Sequence, residues 1–137
     1  MAFGGTSYIA IVIAAVAGFA FGAFYYTLLG RQWMAALGKT EAELSRGNKA
    51  TPFIVAAVAQ IVLAFVLAGA IGHLGPGQVT ARNGVISGAI LWAGIVMTTM
   101  AVNHRFQGSK WSLTLIDGAH WLGVLVLQGF VIGLIGV

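Results

Sequence analysis

Four long apolar blocks constrain the fold of this chain more than any other feature of its sequence. They cover residues 8–29, 51–73, 83–102 and 112–137. A helix of about 20 apolar residues crosses a hydrocarbon layer of about 30 Å. Charged residues make up only 7% of the chain, whereas ordinary soluble domains contain about 25%. The sequence therefore predicts an all-α, polytopic integral membrane protein: one domain, residues 1–137, with four transmembrane helices in contact with the lipid bilayer.

The only sizeable polar segment is residues 30–50, after the first block. Its apolar and polar side chains alternate at helical spacing, which predicts a short helix on the membrane surface that Gly38 ends. Thr40 and Glu43 have the spacing of a capping box, so a second short helix is expected from there to Gly47. A solvated connector with no function of its own is the simpler interpretation of the segment.

The basic residues predict the orientation in the membrane. Only Arg82 lies on the opposite side. The other six lie in the loops at 30–50 and 103–111: Arg31, Lys39, Arg46, Lys49, Arg105 and Lys110. Loops rich in Lys and Arg stay in the cytoplasm. We therefore expect both loops in the cytoplasm and both termini outside, in the inner (plasma) membrane. Because these residues are scattered along membrane borders, they do not indicate nucleic-acid binding.

Pairs of glycines four residues apart recur in three blocks: Gly18 and Gly22, Gly84 and Gly88, and Gly129 and Gly133. Such pairs let helix backbones approach closely in membranes. They offer more packing faces than one bundle of four helices needs. The sequence therefore predicts a homo-oligomer, with a dimer favoured.

A Gly-x-x-Trp element occurs twice, ending at Trp33 and at Trp111, 78 residues apart. Each copy follows a block at the predicted cytoplasmic border, where Trp often anchors a protein in the interface. One interpretation is a duplication, with two parallel helix hairpins related by a pseudo-two-fold axis. The other is that Trp and basic residues recur at interfaces for independent reasons.

The candidate functional residues are polar side chains within or beside the apolar blocks. They are Asp117, His120 and Gln128 on one face of the fourth block, Asn103 and His104 at the end of the third, Tyr25 and Tyr26 at the end of the first, and Gln60 in the second. Ionisable residues inside a membrane are candidates for function. They would form a cytoplasm-facing pocket that binds or passes a small ligand, an ion or a proton. Alternatively, they only hold helices together by hydrogen bonds.

Metal and enzyme chemistry have less support. His104, Asp117 and His120 are residue types that zinc accepts, but three ligands would require a favourable helix approach. The chain has no cysteine, which excludes thiolate metal sites and a thiol nucleophile. Neither Gly-x-Ser-x-Gly nor His-Glu-x-x-His occurs, so no nucleophile or zinc-hydrolase motif is present. We predict no cofactor and no catalytic activity.

Several of these residues resemble the pattern of the bacterial membrane-protein family called domain of unknown function 1761. The resemblance rests on Phe21, Gly22, Tyr25, Tyr26, Leu28, Gly30 and Trp33, and later on Asn103, Phe106, Trp111, Asp117 and His120. It extends over the whole chain and implies the layout of four spans. The resemblance carries no known activity, ligand or catalytic residue.

Overall fold

The computed structural model describes residues 2–136, which fold into four long helical spans. The first span is α1 (Tyr8–Leu37), the second is α3 (Ala50–Gly72) and the fourth is α6 (Trp111–Ile135). The third span runs from Ala81 to Phe106 as α4 (Ala81–Leu91), a π-helical turn (Trp92–Val96) and α5 (Met97–Phe106). All four are long and apolar enough to cross a membrane. The all-α, multi-pass membrane fold is thus confirmed; the predicted end of the fourth span, Val137, lies outside the described residues.

The helix α1 continues well past the predicted end of the first span. It has 30 residues, about 45 Å at 1.5 Å per residue, so it is longer than the hydrocarbon layer is thick. A glycine inside a helix costs only about 1 kcal/mol, and the good helix formers after Gly30 compensate for it. The separate surface helix predicted there is therefore wrong. The predicted stop at Gly38 is confirmed, with φ 75° and a backbone N–H that donates to the Met34 carbonyl.

The polar connector contains the short helix α2 (Glu41–Leu44). The predicted cap is confirmed, because the Thr40 hydroxyl accepts a hydrogen bond from the Glu43 backbone N–H at 3.2 Å. The helix ends at Leu44 rather than at Gly47. The third span also begins earlier than predicted, because Thr80 caps it by accepting from the Asn83 N–H at 3.2 Å.

The central helix of the bundle is α6, which packs against α1, α3 and α4. In the most apolar 18-residue stretch of α6, 44% of the residues are buried, whereas in that of the third span 6% are buried. Close packing of α4 on α6 depends on the glycine pairs. A methyl group added at Gly84 would overlap the backbone of Gly129, and one at Gly88 would overlap the Leu125 carbonyl. These two glycine pairs are therefore used within one chain.

A two-stranded hairpin, β1 (Ala2–Phe3) and β2 (Thr6–Ser7), precedes α1. It was not predicted from the sequence. The hairpin covers the end of α3: Phe3 stacks on Phe65 with ring centroids 4.0 Å apart, and Gly72 has no room for a side chain beside Gly4. We call this end of the bundle the terminal face and the opposite end, with the connectors 38–49 and 107–110, the loop face.

The two Gly-x-x-Trp elements have different conformations. Gly30 lies inside α1, whereas Gly108 has φ 71° in the turn before α6. The first copy therefore continues a helix, and the second ends one. This difference gives the duplication no support, and it stays a prediction.

Candidate functional site

Two adjacent tyrosines of α1 join it to α6 near the loop face. The Tyr26 hydroxyl donates a 2.6 Å hydrogen bond to the Asp117 carboxylate, and the Tyr25 hydroxyl donates one of 2.6 Å to the Ile116 carbonyl. Within residues 2–136, Tyr26 is the only side chain that hydrogen-bonds to Asp117. A charged side chain deep in a bilayer is costly unless it is paired or solvated. The Tyr26 hydroxyl thus provides the Asp117 carboxylate with a partner.

The π-helical turn of the third span aims Trp92 at the same region of α6. The indole N–H of Trp92 donates to the Gly118 carbonyl at 2.7 Å. The Met97 side chain fills the space over Gly118, which has no room for a Cβ. Turns of this kind insert one extra residue and are frequent at functional sites. Residues 116–118 are therefore held from both sides, by α1 and by the third span.

His120 lies on α6 inside a group of aromatic rings. Its side chain is only 6% exposed, and its ring lies 4.6–6.2 Å from those of Phe21, Tyr25, Tyr26 and Trp121. The Nε2 atom approaches α1 at Gly22, where an added Cβ would be 2.8 Å away. The Nδ1 atom is buried and has no hydrogen-bond partner among the described residues. His120 and Asp117 form no hydrogen bond with each other.

Two glutamines meet at the next level of the bundle, closer to the terminal face. The side-chain N–H₂ of Gln128 donates to the side-chain oxygen of Gln60 at 2.7 Å and to its backbone carbonyl at 3.2 Å. Both residues are almost completely buried. The pair occupies the space beside Gly18, where a Cβ would be 2.8 Å from the Gln128 nitrogen. Gly18 and Gly22 therefore make room for polar side chains rather than for another helix backbone.

A cleft of about 890 Å³ lies between α1 and α3 on the loop-face half of the bundle. Its lining is Phe19, Gly22, Ala23, Tyr26, Thr27, Thr51, Pro52, Phe53, Val55, Ala56, Ala59, Gln60, His120 and Trp121. The buried positions of α3 begin at Gln60, so the first ten residues of this helix stand away from the bundle. The cleft is consequently open towards the side of the protein, where lipid would lie.

Two further cavities adjoin this cleft. One, of about 590 Å³, lies on the other side of α3 and shares Val55, Ala59 and Trp121 with it. The other, of about 250 Å³, continues between α1 and α3 beyond Phe19 and Gln60. The lining of both is apolar except for Gln60. Polar side chains are thus concentrated in the central cleft, whose lining includes Tyr26, Thr27, Thr51, Gln60 and His120.

The remaining predicted site residues lie apart from the cleft. His104 is 2.8 Å from the hydroxyl of Thr114, which also accepts from Arg105 at 2.7 Å. The Arg105 guanidinium stacks over Trp111, 3.6 Å from the ring centroid. Asn103 is exposed. His104 and Arg105 thus tie the end of α5 to the start of α6.

The aromatic anchors and the metal alternative can also be placed. Trp111 is the first residue of α6 and is 59% exposed, whereas Trp33 lies within α1 and contacts the Tyr26 ring at 5.8 Å. No group of three metal-ligating side chains occurs in the part of the chain that the structure describes. His104, Asp117 and His120 thus do not meet as a ligand set.

Sequence reasoning identified the polar side chains but not their arrangement. The structure brings together two sets, Tyr25 and Tyr26 with Asp117, and Gln60 with Gln128, while His120 stands between them. Sequence reasoning missed Trp92 as a hydrogen-bond donor, because an indole within an apolar block gives no sign of its partner. The glycine spacing did signal a close approach to α1, but it did not show that side chains would fill the space.

Comparison with known proteins gives one result. The family described as "Protein of unknown function (DUF1761)" matches residues 9–133. Comparisons with curated proteins and with solved structures gave no significant match.

Proposed function

The chain belongs to the DUF1761 family, whose description assigns no function, and we propose from its geometry that it binds a small ligand within the membrane. The proposed site is the cleft between α1 and α3, with His120 and Gln60 at its floor. Clefts of about 300–1,000 Å³ with apolar walls and a few polar groups are typical of small-molecule sites. The proposal is a binding or transport protein rather than an enzyme.

The observation that carries this proposal is the position of His120. A buried polar group without a hydrogen bond costs about 1–3 kcal/mol, yet this side chain is 6% exposed and its Nδ1 has no partner among the described residues. A histidine that only joined helices would be expected to hydrogen-bond across the interface, as Tyr26 does with Asp117. His120 instead lines the cleft. A ligand there would meet the ring at Nε2, the atom beside the lining residue Gly22, whereas Nδ1 is fully buried.

A structural role is the second candidate, and a specific observation favours it. The hydrogen bonds of Tyr25, Tyr26, Trp92 and Gln128 all connect different spans. Such bonds serve to hold helices together in membranes. Under this alternative the cleft would contain only ordinary lipid tails. The two functions differ in whether the cleft binds a molecule in preference to the rest of the lipid-facing surface.

Photolabelling separates the two candidates. The protein would be placed in phosphatidylcholine vesicles with a long-chain fatty alcohol that carries a diazirine, and the labelled residues would be mapped by mass spectrometry. We expect labelling at Phe19, Ala56 and Ala59 to exceed labelling at Ile13 and Val66, which face outward. Equal labelling of all these positions would refute the binding proposal and support the structural one.

A pair of variants on α3 provides the matched control. Ala56→Trp would place an indole in the cleft, whereas Val66→Trp would place one on a side chain that is 56% exposed and outside all three cavities. We expect the first to abolish labelling of the cleft and the second to leave it unchanged. Both substitutions place the same large side chain on the same helix, so a general effect of the indole on folding would change both.

The sidedness and the location are also proposals. We propose that the protein lies in the bacterial inner membrane with its loop face in the cytoplasm, because six of the seven basic residues lie on that face or border it. Positive charge is retained on the cytoplasmic side. The cleft would then open towards the cytoplasmic leaflet.

A homo-oligomer, with the dimer favoured, remains a proposal with a changed basis. The glycine pairs Gly84–Gly88 and Gly129–Gly133 are used within the chain, so they no longer support it. The remaining support is the exposure of the third span, because only 6% of the residues in its most apolar stretch are buried. A second copy of the chain could cover this helix. A detergent-corrected mass from light scattering should equal two chains; a monomer at all concentrations would refute the proposal.

A further inference from the structure

The polar atoms at the floor of the cleft indicate what kind of molecule it would bind, an inference that rests on the proposed function. The orientation of the Gln60 amide can be fixed by its neighbours. The backbone carbonyl of Gln60 is only an acceptor, so the Gln128 atom that contacts it must be the N–H₂ donor. The same donor contacts the Gln60 side-chain oxygen. Two atoms of the pair are therefore left over: the Gln128 oxygen, which is buried without a partner among the described residues, and the Gln60 nitrogen with its two N–H donors, whose side chain lines the cleft.

The leftover donors of Gln60 have no acceptor among residues 2–136, although the side chain is only 3% exposed and lines the cleft. His120 provides a second site near Gly22, one helical turn from Gly18, where the Gln60 oxygen lies. One turn of α1 rises about 5.4 Å. The floor thus offers amide donors and an imidazole about one turn apart. An acceptor oxygen is the complement of the amide donors.

The lining of the cleft has no charged side chain. His120 lies nine residues along α6 from Trp111, or about 14 Å, and Gln60 lies ten residues along α3 from Ala50, or about 15 Å. Both are therefore near the middle of a hydrocarbon layer of about 30 Å. An ion there without a counter-charge would be strongly disfavoured. The buried part of the ligand should be uncharged.

The rest of the cavity system is suited to an apolar chain. The 250 Å³ cavity adjoins the cleft at Phe19 and Gln60, and its other lining residues are Ala, Val and Ile. On the side of α3 the cleft is open where Phe53 and Val55 are 64% and 60% exposed. A molecule dissolved in the bilayer could reach the floor through this opening without crossing water.

We propose that the cleft binds an uncharged lipophilic molecule with a carbonyl-type oxygen, which enters from the bilayer beside α3 and accepts a hydrogen bond from Gln60 while a polar atom of it contacts His120. Its apolar part lies along Phe19, Val55 and Ala56. The amide donors select an acceptor oxygen, and the uncharged lining excludes ionic head groups.

Competition against the diazirine fatty alcohol in phosphatidylcholine vesicles tests this ligand class. Four competitors of equal chain length would be compared: a ketone, an alkane, an alkyl sulfonate and an alkyl trimethylammonium salt. One hydrogen bond of about 1.4 kcal/mol corresponds to a tenfold difference in affinity. We expect the ketone to displace the probe from the cleft at a concentration at least tenfold lower than any of the other three competitors requires.

If the probe alone labels the cleft preferentially but all four competitors displace it equally, the ligand class is overturned and the binding proposal stays intact. No preferential labelling of the cleft would overturn both. The double variant Gln60→Leu/Gln128→Leu removes the donors without leaving a lone amide, and it should reduce the ketone's advantage about tenfold and leave displacement by the alkane unchanged. His120→Phe keeps an aromatic ring and should leave the ketone's advantage unchanged, because the single oxygen of the ketone bonds to Gln60. An unchanged ketone advantage in the double variant would refute the assignment to Gln60.

Discussion

Gly84 of α4 and Gly129 of α6 face each other backbone to backbone, and neither has space for a Cβ. Two spans can approach this closely only where both carry glycine. Since α6 is the central helix of the bundle, this contact positions α6 relative to the third span and, through it, the level of Asp117 and His120.

Substitution of Gly84 by alanine should therefore destabilise the protein. The added methyl would force the helices apart, and overpacking of this kind costs about 1–3 kcal/mol. Gly94→Ala is the control in the same span, because nothing lies within 4 Å of a Cβ there. We expect the unfolding midpoint in detergent to fall for Gly84→Ala and to stay or rise slightly for Gly94→Ala. Equal midpoints would contradict the close contact.

The sequence predicted the four spans because their apolar length alone determines them. It also predicted the stop at Gly38 and the Thr40 cap, which depend on local chemistry. It placed the end of the first span wrongly, because the polar residues after Gly30 suggested a change of direction that the helix does not make. The length of a helix beyond the membrane depends on helix propensity and capping rather than on hydropathy.

Tyr26→Phe should destabilise the protein more than Tyr25→Phe. The first removes the only side-chain hydrogen bond to the Asp117 carboxylate within the described residues, and loss of a bond to a charged partner costs about 1.5–3 kcal/mol. The second removes a bond to the Ile116 backbone carbonyl, which costs about 0.5–1.5 kcal/mol. Reversible unfolding in mixed micelles would measure both.

A double-mutant cycle would assign the first effect to the contact itself. Asp117→Asn and Tyr26→Phe should be non-additive, with a coupling of about 1 kcal/mol or more between residues in direct contact. The pair Asp117→Asn and Tyr25→Phe should be closer to additive. Additivity in both cycles would mean that the 2.6 Å contact contributes nothing to stability.

The site was harder to predict than the fold, for a physical reason. A helical wheel places Asp117, His120 and Gln128 on one face, but it does not show which neighbouring helix meets each level of that face. The partner of Asp117 depends on how far α1 is shifted along α6. Gly22 makes room on α1 for His120, and Gly18 makes room for the two glutamines. Asn103 and His104 lie apart from the cleft, at the end of the third span beyond its π-helical turn.

The glutamine pair should show a strong asymmetry between single and double substitution. Gln60→Leu alone leaves the buried Gln128 amide without its acceptor side chain, which costs about 1–3 kcal/mol. Replacing both by leucine removes both amides, and such paired replacements are nearly neutral. Unfolding in mixed micelles should therefore show the double variant to be more stable than Gln60→Leu. A double variant that loses the sum of both single effects would contradict the pairing.

The sidedness can be tested directly because the chain has no cysteine. Ser45→Cys would place a thiol in the exposed connector of the loop face, and Gln78→Cys would place one in the exposed turn of the terminal face. In intact spheroplasts, a membrane-impermeant maleimide should label Gln78→Cys and leave Ser45→Cys unlabelled until the membrane is permeabilised. The reason is that Lys and Arg are retained on the cytoplasmic side. The reverse pattern would show the opposite orientation in the membrane, and labelling of both variants before permeabilisation would show two orientations.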